Sequence, residues 1–441
     1  MAHKPEKHMI LTVFMLPPGY YKDSWRLPGS RSEELGYLDF VTDLTLMCER
    51  AKLDSVFFGD VVTASTILEG NMMTTGLNEP ITTLSALAGR TSKIGLTGTV
   101  STSFSLPFVT ARQLSGLDSL SGGRAGWNIV TSWMGGENFG IDELPAPAER
   151  YRRATEFVDV AVKLWDSWSD QAVINDRASG WWADPAKIQA IDYDGEFFKV
   201  AGPLNMRRSP QGRPVLFQAG SSADGMELGA TFADVTYTAQ PRKDGAAEFY
   251  AKYKELVRAK GRDPRSVKVL PGILPIVGET DAEAEEIAKD LANHINFDSG
   301  RVQLAKNLEI DIADIDLDER IPAERWSEDP SRGSRYHIFR KLTLDDGLTL
   351  RDLVVESYRS GAHLWAVGSA SKIADVMVDW FEGGAADGFS LNPPHMPDGL
   401  RRICDLLVPE LQERGYFRTE YEGDTLREHL GLDRPGAWDT H

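Results

Sequence analysis

Short uninterrupted apolar runs alternate along the chain with longer stretches in which apolar residues recur every three or four positions. Runs at Ile10–Met15, Ser55–Gly59, Ile94–Val100, Ala125–Val130, Val215–Ala219, Val235–Thr238, Val267–Val277 and Gly388–Leu391 read as strands. Their lack of polar alternation is the mark of parallel strands buried on both faces and covered by crossover helices. The intervening stretches read as amphipathic helices. In Glu149–Trp168, the residues Tyr151, Ala154, Phe157, Val158, Ala161, Leu164 and Trp165 fall on one face. Ser371–Glu382 and Asp398–Glu413 behave alike, and Gly383 and Gly415 stand behind them, where glycine serves a helix C-terminus.

Eight strand-and-helix units predict an α/β fold of the (β/α)8 TIM-barrel type with insertions, in preference to an open doubly wound sheet. Such a barrel takes about 250 residues, and the chain has 441, so roughly 190 remain for insertions. Two segments fit that role within one domain: about 169–209, rich in Trp, Asp, Gly and Pro, and about 297–367. A tail follows after about residue 415. Within the second insertion, the acidic stretch Glu309–Glu319 and then Pro330–Arg335 read as a mobile excursion.

Charge narrows the partners. Lys and Arg number 48 against 66 Asp and Glu, a formal charge of -18, so the average surface repels nucleic acid and anionic lipid. The apolar run Met9–Leu16 is far shorter than the ~20 residues a membrane span needs, and mean hydropathy is -0.30. Lys4 and Lys7 precede that run, but Pro17-Pro18-Gly19 follows it instead of a small-residue cleavage site, so it reads as a strand and not a secretory signal. The two cysteines, Cys48 and Cys404, read as buried thiols, which fits a reducing cytoplasm.

Common catalytic signatures are missing. The sequence holds no G-x-G-x-x-G, no P-loop, no H-E-x-x-H and no G-x-S-x-G. Its eight histidines are scattered, and none outside the N-terminal tail has a neighbour at metal-ligand spacing. No metal is expected. Chemistry without these parts points to an organic cofactor.

Three stretches carry a resemblance. They are Ser121-Gly122-Gly123-Arg124-Ala125-Gly126-Trp127-Asn128-Ile129-Val130-Thr131-Ser132 with Asn138-Phe139-Gly140 and Glu149-Arg150-Tyr151, then Ser209-Pro210-Gln211-Gly212-Arg213-Pro214 through Ser222, and the C-terminal Phe381–Phe389 with Val408–Gln412 and Arg414–Arg418. In order and spacing, from about residue 10 to 432, the chain resembles the flavin-dependent monooxygenases of the bacterial-luciferase superfamily. The branch is that of the nitrilotriacetate, dibenzothiophene-sulfone and long-chain alkane monooxygenases. The resemblance implies a TIM barrel with FMN at the C-terminal strand ends and a two-component system. A separate NAD(P)H:flavin reductase would supply reduced FMN, which forms a C4a-peroxyflavin with O2 and oxygenates the substrate. It also implies a homodimer or higher homo-oligomer, paired through helices near the early strands.

Residue by residue, the resemblance places FMN contacts at Asp60, Thr99, Ser101 and Asn128, and the phosphate at Tyr151, Gly220, Ser221 and Ser222. That last turn also makes physical sense, since it leads from a strand into a helix whose N-terminal N–H groups suit an anion. An ordinary helix cap has the same letters. Tyr20, Tyr21, Trp25, Phe104 and Trp133 would line an apolar cavity above the flavin, suited to an uncharged aromatic, sulfur-containing or alkyl substrate, while Arg26 offers an anchor for an anion. The chain departs from the family's pattern at Pro147-Ala148, where His-Asp is usual, at Asp224, where a base is frequent, and at Leu27 and Trp133, where relatives carry histidine. These changes remove imidazoles from the expected pocket, so no general acid or base is assigned. Two other readings stay open: a deazaflavin-dependent oxidoreductase on the same barrel, and a flavin-binding protein without turnover.

Overall fold

The computed structural model describes residues 8–68, 78–329, 332, 334–359 and 362–438. Eight strands pair in parallel around a closed ring. They are β1 (Ile10–Phe14), β2 (Ser55–Phe58), β3 (Gly95–Ser101), β4 (Ala125–Val130), β5 (Val215–Gln218), β6 (Val235–Thr238), β7 (Lys268–Gly278) and, after the intervening strand β8 (Leu364–Ser369), β9 (Gly388–Leu391). The ring runs β6-β5-β4-β3-β2-β1-β9-β7 and is closed by β6 pairing with β7, Val235 opposite Lys268. The barrel predicted from the apolar runs is therefore present, with each strand within a residue or two of its expected bounds. β8 is an addition: it runs beside the far half of β7, Ile273 opposite Leu364 through Gly278 opposite Ser369.

Helices cover the ring because their apolar stripes need it. In the helix Pro147–Asp166, Ala154, Phe157, Val158, Ala161, Leu164 and Trp165 are all buried, packed with Trp127 and Leu216. The segment Asp398–Glu413 is helical throughout but widens to a π-turn over Ile403–Leu407. Pro409 follows, and its ring nitrogen has no hydrogen to return to the preceding turn. Cys48 and Cys404 are both buried free thiols in one apolar cluster, and burial pushes the Cys48 thiol well up. Among the described residues, no helix is long and apolar enough to cross a membrane.

The two insertions differ in kind. The first holds two small antiparallel hairpins, Val173–Asp176 with Trp181–Ala183 and Tyr193–Asp194 with Lys199–Val200, and leaves Trp181 and Trp182 exposed. The second builds its own core from the helices Phe297–Leu308, Ser334–Leu344 and Leu350–Arg359. Here the expected mobile excursion is corrected. Within Glu309–Glu319, Ile310, Ile312 and Ile315 are 7%, 1% and 6% exposed, so the acidic residues are the wet side of a packed segment. Of Pro330–Arg335, the residues Pro330, Ser331 and Gly333 lie outside those described.

The chain after residue 415 folds back under the barrel. Leu426, Leu430 and Leu432 enter the N-terminal end of the ring and pack on Ile10, Val215, Phe217, Val235 and Leu270. Two buried ion pairs fix this plug: Arg418 to Asp54 and Arg427 to Asp234, the latter at 2.9 Å. The Ser121–Arg124 stretch belongs to the same end. Gly122 and Gly123 have φ of +72° and +93°, and Gly123 O accepts the Leu426 N–H at 3.0 Å. Buried Arg124 donates to the carbonyls of Ser121, Ile94, Ala88 and Thr91. These residues hold the barrel together and stand at the end opposite to the one where barrels of this type place their chemistry. A cavity of about 400 Å³, lined by Tyr250, Lys254, Asp387, Arg418 and His429 among others, lies at this same lower end.

Candidate functional site

At the upper end, β5 runs out at Gln218 and the chain turns through Gly220, Ser221 and Ser222 into the helix Ala223–Phe232. Ser222 caps that helix, its Oγ accepting the Gly225 N–H at 3.2 Å, and the same hydroxyl stands 3.4 Å from Tyr151 Oη. Gly220 keeps the turn open. A Cβ there would lie 2.4 Å from Gln218 Nε2, 2.9 Å from Gly225 Cα and 3.2 Å from Tyr151 Oη. Ser221 Oγ is 3.3 Å from Thr238 Oγ1 at the end of β6. Beside Tyr151, Arg150 makes no ion pair among the described residues; its Nε is buried without a partner, and burial holds its pKa down. A capped helix N-terminus, two serines, a phenol and an uncompensated guanidinium are donors of the kind a phosphomonoester takes. Asp224 is exposed.

A second group of sequence-chosen residues sits on the neighbouring strands. Thr99 and Asn128 are opposite one another in the β3–β4 register, both 5% exposed, and Asn128 Nδ2 donates to Thr99 Oγ1 at 2.9 Å. Thr99 Oγ1 in turn donates to Phe58 O at 3.0 Å. Ser101 Oγ meets Ser132 Oγ at 2.7 Å. Asp60, just beyond β2, is half-buried, and desolvation raises its pKa.

The expected pocket aromatics do not gather in one place. Tyr20 reaches the barrel mouth, its ring 6.1 Å from Phe14. Tyr21, buried, packs instead towards Tyr358 and Trp365. Phe104 stacks flat on Phe139 at 4.4 Å, and Trp25 and Trp133 are 40% and 65% exposed.

The mouth is built largely from residues that the sequence did not single out. Tyr237 from β6, His363 just before β8 and Asn392 just after β9 converge: Tyr237 Oη is 3.0 Å from His363 Nε2 and accepts from Asn392 Nδ2 at 3.2 Å. Gly272 of β7 makes room for them, since a Cβ there would lie within 2.9 Å of all three side chains. Tyr20 closes the group edge-on, 5.5 Å from the His363 ring. The imidazoles lost at the family-matched positions stay lost, but the mouth holds one from elsewhere in the chain. His363 is an imidazole supplied from the far end of the second insertion, and no local spacing pattern marks it. Burial first, and the charge of Arg335 second, push its pKa down to about 3, so the ring is neutral.

Comparison with known proteins identifies the family. The family description "luciferase-like monooxygenase" matches residues 21–387. The chain is 41% identical to the N-acetyl-S-(2-succino)cysteine monooxygenase of Bacillus subtilis (strain 168) over 98% of each chain. It is 38% identical to nitrilotriacetate monooxygenase component A of Aminobacter aminovorans over 97% of each. Among solved structures, riboflavin lyase with modified FMN and riboflavin superposes with a TM-score of 0.86 at 28% identity, covering 99% of this chain and 98% of that one.

Proposed function

Because the chain belongs to the luciferase-like monooxygenase family, we propose that it is the oxygenating component of a two-component system. In this reading a separate NAD(P)H:flavin reductase delivers reduced FMN, and the chain uses it with O2 on a small organic or organosulfur substrate. The observation that carries this reading is the donor cradle of Tyr151, Gly220, Ser221 and Ser222 at the upper rim, with Arg150 beside it. Bound reduced FMN supplies the electrons with which O2 gives one oxygen atom to the substrate.

The chain's own residues do the rest. Tyr151, Ser221, Ser222 and the N–H groups after Gly220 hold the phosphate. Asp60, Thr99, Ser101 and Asn128 orient the ring from the ends of β2, β3 and β4. Tyr237 and the neutral His363 share a hydrogen-bond proton, Oη to Nε2 at 3.0 Å, and can hold or pass one without a buried net charge. The second insertion, with Tyr20, keeps water from the mouth, and Trp25, Phe104 and Trp133 border the approach. The helix Pro107–Leu120 exposes Val109 and Leu120 at 46% and 68%, a stripe through which the chain forms a homodimer.

Anaerobic titration with reduced FMN, followed by admission of O2, tests the reading. The expected result is tight binding of reduced FMN and flavin oxidation much slower than for free reduced FMN. Oxidation at the free rate with immediate release of hydrogen peroxide, or binding of a deazaflavin in preference to FMN, overturns it.

A further inference from the structure

We propose that Asn392 is a positioning residue: it aims the Tyr237 hydroxyl at His363 Nε2 and so fixes the ring proton of His363 on Nδ1. The imidazole at the mouth is then a hydrogen-bond donor and not a base. This role rests on the mouth being the reaction site, as proposed above, and gives its histidine a definite chemical duty.

The cluster is buried and has few protons to place. Asn392, just after β9, is 0% exposed, and His363, just before β8, is 2% exposed. An amide nitrogen can only donate, and Asn392 Nδ2 donates to Tyr237 Oη at 3.2 Å. The single hydrogen of the phenol is therefore left for another acceptor. His363 Nε2 stands 3.0 Å from Oη, nearer than Nδ1 at 3.5 Å. A ring nitrogen that accepts carries no hydrogen. Burial pushes the Tyr237 phenol well up, so it keeps its proton, and holds the His363 ring neutral. A neutral imidazole has one N–H, and Nδ1 is the position that remains.

The direction of the amide follows from what it buries. Its Oδ1 has no partner. Turned over, the group would strand an NH2 there instead, and stranded N–H groups are rarer in protein interiors than under-used carbonyls. The backbone holds the three side chains in place. Asn392 N–H donates to Ile273 O at 2.8 Å, and bare Gly272 lets the groups close, since a Cβ there would lie 2.5 Å from Nδ1 and 2.7 Å from Oη. The donors thus run one way, from Asn392 to Tyr237 to His363. With Nε2 spent on the phenol, the ring has no lone pair with which to take a proton from a ligand. What it offers is the Nδ1 N–H, for which the described residues hold no acceptor other than the same Oη at 3.5 Å.

Nitrogen-15 NMR of the whole protein, labelled in histidine and free of added flavin at pH 7, tests this, with His363→Asn identifying the signals. The wild-type ring should show a protonated Nδ1 and an unprotonated Nε2, at the full shift separation of a single tautomer. In Asn392→Leu the phenol loses the donor that turns it, so the two shifts should move towards each other as both tautomers become populated. Tyr237→Phe, which removes one oxygen, should do the same. The other histidines should keep their shifts in both variants and so report an intact fold. A wild-type ring protonated at Nε2, or at both nitrogens, overturns the proposal without any variant, and an Asn392→Leu ring with wild-type shifts overturns it as well. An FMN titration of the same sample separates the two readings. Protonation at Nε2 with FMN bound overturns the role of Asn392 alone, whereas a proton on Nδ1 with no FMN binding upholds that role and overturns the oxygenase reading.

Discussion

Ser222 serves its helix and the proposed cofactor through one oxygen, and the two duties can be separated. Ser222→Ala should cost about 1 kcal/mol of stability for the lost cap and weaken FMN about tenfold, about 1.4 kcal/mol. Thr280 caps the helix Asp281–Ala292 in the same manner, accepting the Glu283 N–H at 3.2 Å. Thr280→Ala should therefore lose similar stability in urea titration with no change in FMN affinity, and an equal loss of FMN would refute the role given to Ser222. His363 yields a prediction in pH. Its native pKa of about 3 lies below the ordinary value of 6.5. Between those two values the unfolded chain takes up a proton that the folded ring refuses, so the residue costs stability as pH falls through that window. At pH 5 the cost is on the order of 1–2 kcal/mol; His363→Phe should lose less stability than wild type between pH 7 and 5, and the native ring resonances should not titrate between pH 5 and 8. The strand-to-helix turn was legible because Gly220, Ser221 and Ser222 are contiguous behind an apolar run. The mouth was not, because Tyr20, Tyr237, His363 and Asn392 meet only once four separate segments have folded.

Among the elements, the tail that plugs the barrel makes the clearest energetic statement. Burial works against the Asp234 carboxylate, but Arg427 and the Leu216 N–H outweigh it and hold its pKa below the usual value. That stabilisation is complete above the unfolded value of about 4 and disappears as pH falls through the lower native one. Arg427→Met, which strands the carboxylate, should cost about 3–5 kcal/mol at pH 7, and Leu426→Ala about 2–5 kcal/mol, both read from denaturant midpoints. Neither should alter FMN titration, since the proposed flavin site is at the other end; a parallel loss would show that plug and proposed cradle are coupled. The eight ring strands could be seen in advance because residues buried on both faces leave an unbroken apolar run. β8 could not, since only alternate residues of Leu364–Ser369 are buried, and it falls at the end of a segment otherwise read as insertion. The acidic stretch Glu309–Glu319 misled for a related reason: its isoleucines pack without keeping a helical or strand period.

For the whole molecule, the proposed pairing surface is testable by mass. Light scattering should give a multiple of 48.8 kDa, and Val109→Glu with Leu120→Glu should reduce it to 48.8 kDa; an unchanged mass would place the contact elsewhere. The ring itself has one further implication. β1 has β2 on one side and β9 on the other, Ile10 opposite Gly388, and the tail that seals the floor comes later still. During synthesis β1 must therefore wait, one edge unpaired, until β9, more than 370 residues later, has emerged. A ribosome that stalls beyond the second insertion would release an open-sided barrel with Ile10 and Phe217 uncovered, a species for chaperones and proteases to sort. Messages cut short before the codon for Gly388 should accordingly yield degraded product and not a slightly shortened folded chain.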